Sequence, residues 1–358
     1  VARTEKINPF NSIRRFFMKR CMSVAVMWMC TSFLFFISAP ASVHAGEETI
    51  KLRYSNFFPP VHAISKLSEE WCKEIEKRTN GRVKIIYFPG ATLTPPMQTY
   101  DSTVKGIADI GQALLAYAPG RLPLSGVLAL PLGYKNGYQA TKLANAYYKK
   151  FHPKEFDDVE VMYLHGAAPA LFYTKKPVTS MDGIKGLRIK ASAESASIVS
   201  AVGGVPVTQP ITETYDSLQK GLVEGVVGPI EILQGWRFAE VVKGCLEDYG
   251  ISYMTSMFVV MNKAKWNSIS KGDQEIIKKI NDEWIEKQGK LWIKLDEDSK
   301  AYSLSKGVEW VKVSPEEEAK TAEKMKSVRD KYVEEMKAKD LPGAEALKFC
   351  QEYIKSHP

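Results

Sequence analysis

The chain has 358 residues, 45% hydrophobic and 25% charged, ordinary values for a folded protein of about two domains. Its net charge is +8, but residues 1–45 carry Arg3, Lys6, Arg14, Arg15, Lys19 and Arg20 against Glu5 alone, which leaves +3 for the remainder. A nucleic-acid binder keeps a basic stripe in its folded part, so that class is set aside.

The first segment reads as an export signal. "RRFFMKR" (14–20) precedes the apolar run "CMSVAVMWMCTSFLFFIS" (21–38), and "APASVHAGEE" follows with small residues at Val43 and Ala45. This predicts a signal peptide over 1–45, cleavage after Ala45 and a periplasmic protein. The competing reading is an uncleaved anchor, since 18 apolar residues nearly span a bilayer. "RRFFMK" also resembles a twin-arginine motif, although a start at Met18 would exclude both arginines. Cys21 and Cys30 lie in this segment. Cys72, Cys245 and Cys350 remain, an odd number with no metal or redox spacing.

Strand and helix signals then alternate. Residues 49–56 read as a strand and 62–81 as a helix, with Ile64, Leu67, Trp71 and Ile75 at helical spacing and Gly81 at its end. A strand over 82–90, a helix over 95–106 and a strand over 107–117 complete a β-α-β-α-β order, which predicts a parallel sheet with helices on its faces. A second unit follows: strands at 158–167, 170–178 and 186–191, helices at 195–204 and 212–221, and a strand at 222–229. Residues 253–266 read as a strand able to return to the first unit. Residues 268–305 show uninterrupted helical periodicity, which predicts one long helix bridging elements. Residues 314–339 begin with Ser314 as a cap, Pro315 in the first turn and three glutamates, so they read as one helix with a solvated charged face.

No G-x-S-x-G, P-loop, dinucleotide fingerprint or H-E-x-x-H motif occurs. The five histidines have no zinc spacing. These absences point away from an enzyme, and no cofactor is expected. Two small α/β lobes joined by crossing segments suit another task, closure by a hinge around a small ligand. In "DGIKGLRIKAS" (182–192), Arg188 and Lys190 are two apart in a strand and share a face. They could serve an anionic ligand, or simply reach water at a strand end.

The landmarks "SEEWCKEIEKRTNGRVKIIYFPGATL", "VKGIADIG", "DGIKGLRIKA", "GGVPV" and "ETYDSLQKGLVEGVVGP" together resemble the periplasmic solute-binding proteins of TRAP (tripartite ATP-independent periplasmic) transporters, the DctP-like group, over most of residues 48–330. The last landmark is the most specific. It matches E-x-Y-x-A-L-Q-x-G-x-x-D-G with Ser217 for Ala and Glu224 for Asp. The resemblance implies a two-lobed α/β periplasmic-binding-protein fold, an interlobe cleft and a long helix spanning both lobes. Lobe I would comprise 46–167 with 254–293, and lobe II 168–253 with 294–358. It further implies a monomer that captures a small organic acid and hands it to membrane permease subunits, without chemistry on the ligand.

The family holds the ligand carboxylate with an arginine after K-G-L. Alignment on "KGLRIKA" gives that position to Lys190, a point charge instead of a planar fork. Counting back from Pro206 gives it to Arg188, and both stay open. Other cleft positions carry over to Phe57, Leu114, Ala170, Ile211 and Gly228, all apolar or small where relatives are often polar or aromatic. A second ligand charge would therefore be buried without a partner, which is costly. The expected ligand is a monocarboxylate with an apolar or aromatic body. Phe57, Phe58, Tyr117, Phe172 and Trp236 are candidate walls, and Arg121 is a candidate second cation. Each aromatic is as readily core packing, and Arg121 as readily a surface residue.

Overall fold

The structure, a computed structural model, describes residues 49–357. The expected signal peptide over 1–45 lies outside the described residues. The first part of the chain forms β1 (Ile50–Asn56), α1 (Ala63–Arg78), β2 (Val83–Phe88), α2 (Thr99–Val104), β3 (Ile110–Leu114), α3 (Gly137–Phe151) and β4 (Val159–Ala167). The second adds β5 (Ala170–Thr174), β6 (Arg188–Ala191), α4 (Ala196–Ala201), β7 (Val205–Thr208), α5 (Thr214–Gln219), β8 (Gly225–Pro229), α6 (Ile232–Gly235) and β9 (Gly244–Glu247). Next come β10 (Thr255–Asn262), α7 (Lys263–Ser268) and α8 (Lys271–Ser305). The chain closes with β11 (Glu309–Lys312), α9 (Pro315–Lys324), α10 (Lys326–Ala338) and α11 (Gly343–Ser356).

Two sheets result, in the order β2-β1-β3-β10-β4 and β11-β9-β5-β8-β6-β7. The first is not purely parallel as expected. Strands β1, β2 and β3 run parallel, but β10 returns from the second sheet and pairs antiparallel with both β3 and β4. The returning strand was legible; its direction required knowing which end of the sheet it enters. The second sheet is also mixed: β5 opposes β8 and β9, while β6 runs parallel to β7 and β8.

Helix α1 buries Ile64, Leu67, Trp71 and Ile75 against the first sheet, as its spacing requires. The expected helix over 95–106 is a short 3₁₀ turn followed by α2, and the strand over 107–117 narrows to β3 followed by a 3₁₀ turn at 115–117. The expected 314–339 helix has the full capping box at Ser314 and Glu317 but turns at Met325, whose side chain is fully buried.

The 35-residue α8 extends about 52 Å at 1.5 Å per residue and ties the sheets together. On the first-sheet side, Trp71 Nε1 donates to Asn281 Oδ1 at 3.0 Å and Trp284 Nε1 to Leu67 O at 3.0 Å. On the second-sheet side, Lys300 pairs with Glu247 at 2.9 Å and Trp310 Nε1 donates to Ser303 Oγ at 3.0 Å. The C-terminal α11 packs on α3 and the 124–129 turn, and Gln139 Nε2 donates to His357 O at 2.6 Å. Helix α11 also packs on α10. No helix among the described residues is long and apolar enough to cross a membrane.

Candidate functional site

A narrow cavity lies where the C-terminal ends of β1, β3, β6 and β8 meet. Open α/β sheets bind ligands at such ends. Phe57 and Phe58 enter from the loop after β1, Leu114 from the end of β3 and Tyr117 from the following turn. Lys190, Ser192 and Ser195 enter from β6 and its loop, and Gly228 and Glu231 from β8 and its loop. Ile211, Trp236, Tyr253, Thr255, Met257 and Trp292 of α8 close the remaining walls.

The aromatic wall is held by local hydrogen bonds and ring packing. Asn56, at the end of β1, accepts from Phe58 N at 3.0 Å, while its amide donates to Tyr87 and Gln112, both at 2.8 Å. That buried amide fixes the turn that presents both phenylalanines. Phe57 stacks on Trp236 at 6.1 Å and 13°, and meets Tyr117 edge-on at 5.8 Å. Phe58 lies 5.9 Å from Trp236 and 6.5 Å from Trp292, whose indole donates to His165 at 3.3 Å. Tyr117 Oη accepts from Ile211 N at 2.8 Å, tying the first-sheet side of the cavity to the second.

Lys190 is the cation of this cavity. Its side chain is 5% exposed and makes no hydrogen bond or ion pair with the described residues. Burial pushes its amine down from 10.5 to about 8. Arg188 does not join it. Strand β6 is four residues long, and Arg188 stands at its far end, exposed, with its backbone N and Nε on Glu224 Oε2 at 3.1 and 3.4 Å and Nη2 on Gly221 O. The two side chains share a face, but only the second reaches the cavity. Arg121 also lies elsewhere, paired with Asp158 at 2.8 Å and lying over the Tyr100 ring. Ala170 is buried at the start of β5, outside the lining, and Phe172 is core. Phe57, Phe58, Leu114, Tyr117, Lys190, Ile211, Gly228 and Trp236 all converge on the cavity.

Sequence reasoning missed Trp292 and Glu231. Trp292 lies on α8, whose charged periodicity hides one cavity-facing ring. Glu231 was findable, because it follows β8 at a strand's C-terminal end, the position used to favour Phe57 and Phe58. It is 2% exposed and accepts from His62 Nε2 at 2.9 Å. Among the described residues, no group of three His, Cys, Asp or Glu side chains is placed to hold a metal.

Residues 54–336 match the family model described as bacterial extracellular solute-binding protein, family 7. A TRAP periplasmic solute-binding protein from Desulfovibrio salexigens, in an open complex, is 32% identical, with a TM-score of 0.76 over 86% of this chain and 96% of that one. A TRAP periplasmic solute-binding protein from Bordetella bronchiseptica, with bound (R)- and (S)-mandelate, is 26% identical, with a TM-score of 0.79 over 86% of this chain and 100% of that one. A solute-binding protein from Chromohalobacter salexigens is 22% identical over 82% of this chain and 88% of its own length.

Proposed function

The chain belongs to the bacterial extracellular solute-binding proteins of family 7, and from that premise we propose that it is the receptor of a TRAP transporter for a monocarboxylate with an apolar or aromatic body. The observation that carries this reading is Lys190, a buried amine with no partner among the described residues, in an aromatic-walled cavity. Such an amine gains most from an anion that arrives with the ligand. The mandelate-bound relative is consistent with it, since mandelate is an aromatic monoacid. A second carboxylate on the ligand would meet Leu114, Ile211 and Gly228, or the Glu231 carboxyl group, and find no cation.

In this reading residues 1–45 direct export to the periplasm, the lobes close over the ligand by a hinge, and the closed receptor delivers it to membrane permease subunits. The lobes divide near residues 167 and 254 and along α8, with α11 counted with the first lobe because it packs on α3. A thermal-shift screen of purified protein tests the ligand class. At about 100 times its Kd, a ligand specific for the folded state adds roughly 2.7 kcal/mol. Aromatic and branched monoacids should raise the melt while their amides do not. Dicarboxylates raising it more, or amides raising it equally, would reject the reading.

A further inference from the structure

The cavity has a second polar end that the carboxylate anchor does not use. Glu231 is 2% exposed and lines the cavity, yet only its Oε1 is bonded, to His62 Nε2 at 2.9 Å. Its Oε2 has no hydrogen-bond partner among the described residues. The His62 tautomer follows from its place as the cap of α1. Nδ1 accepts from Ile64 N at 3.2 Å, so the proton sits on Nε2 and the ring is a neutral donor. Among the described residues, no lysine or arginine pairs with the Glu231 carboxyl group. Its backbone is fixed as well: N donates to Asp296 Oδ1 at 3.0 Å, and O accepts from Ser299 Oγ at 3.1 Å, both on α8. Gly235 completes the seat, since a Cβ there would come within 2.4 Å of His62 Nε2 and 2.8 Å of Glu231 Oε1. The pair is thus held against bare backbone, with one carboxyl oxygen left over.

Given the monocarboxylate reading on which this rests, we propose that Glu231, oriented by His62, receives a hydroxyl group on the ligand body, so that the ligand is a hydroxylated acid held at both ends. Lys190 and Glu231 enter from neighbouring strands: Val226 of β8 is the register partner of Lys190, and Glu231 follows five residues on. A ligand between them needs a carboxylate at one end and a polar group at the other, with an apolar ring against Phe57, Phe58 and Trp236. A hydroxyl fits because it donates to an oxygen acceptor without bringing a charge. A site built to bond a hydroxyl discriminates strongly against the analogue lacking it, because the buried oxygen is then left unpaired.

The test is calorimetric titration of the full-length wild-type protein, Glu231→Gln and Glu231→Met with matched acids. The set is phenylacetate, its 3- and 4-hydroxy forms, mandelate, the methyl ethers of the hydroxy forms, and 3-aminophenylacetate. For wild type, at least one hydroxylated acid should bind about 10- to 100-fold tighter than phenylacetate, and its methyl ether should lose that gain. The ratio should fall to within about 2-fold in E231M and take an intermediate value in E231Q. Equal binding of all the acids by wild type, or a ratio surviving in E231M, overturns the proposal and leaves the carboxylate anchor standing. A larger gain for the amino acid than for either hydroxy acid overturns the hydroxyl assignment. Failure of every acid to bind removes the monocarboxylate reading and this one with it. The wild-type comparison does not depend on how either variant folds.

Discussion

In the proposed receptor, Lys190 joins stability and binding in one side chain. With its amine pushed down to about 8 from 10.5, the unfolded chain binds more protons than the folded one between those values. The contribution of Lys190 to stability without ligand is therefore least favourable below pH 8, where the buried amine is charged, and recovers as pH rises from about 8 towards 10.5. The shift corresponds to a penalty on the order of 3 kcal/mol at neutral pH. Lys190→Met should accordingly raise the melting temperature of the ligand-free protein at pH 7 while removing stabilisation by monoacids, a trade expected where a binding site holds an unfavourable group. Parallel melts with and without a saturating acid check both halves, and a variant that is both less stable and still stabilised by acid would contradict them. Affinity for acids should weaken as pH rises through about 8, because the anchor loses its charge. Burial also raises the phenols of Tyr117 and Tyr253, the latter to about 12, so neither titrates in that window. Titration at pH 7 and pH 9.5 measures this, and a flat profile would exclude Lys190 as the anchor.

Elements decide which of two neighbouring cations faces the cavity. The sequence places Arg188 and Lys190 on one face of a strand, and that is correct; it does not reveal that β6 is four residues long with only its C-terminal end at the cavity. The long α8, the α1 core face and the Ser314 cap were legible because period and capping chemistry are local. Strands β7, β9 and β11 were not, since each has four residues and takes its stability from a neighbour. The pairing of Glu231 with His62 was hidden for a similar reason: the two residues are 169 apart. The turn after β3 carries a contact that can be tested. Tyr117→Phe removes the acceptor for Ile211 N, a bond joining the two sides of the cavity. Apparent Kd should rise about 2- to 10-fold while the melt of the ligand-free protein changes little. An unchanged Kd would show that this bond does not help hold the cavity shut. Trp236→Ala, which removes the ring stacked on Phe57, should weaken aromatic acids more than aliphatic ones of equal charge; equal losses would argue against ring-to-ring contact with the ligand.

At the scale of the molecule, two mixed sheets share one long helix and crossing strands, and the cavity is built from both. Contacts across it, His62 with Glu231, Tyr117 with Ile211 and Phe57 with Trp236, come from elements on the two sheets. In the proposed receptor, ligand and closure are then linked: a ligand that touches both sides stabilises a closed arrangement by its difference in affinity for the two states. The central claim is that Lys190 anchors the carboxylate of a monoacid. The most direct measurement is calorimetric titration of one monoacid and its amide into wild type and K190M at pH 7. The account predicts that wild type binds the acid at least 100-fold tighter than the amide, and that K190M loses this preference. An acid-over-amide preference that persists in K190M would contradict it.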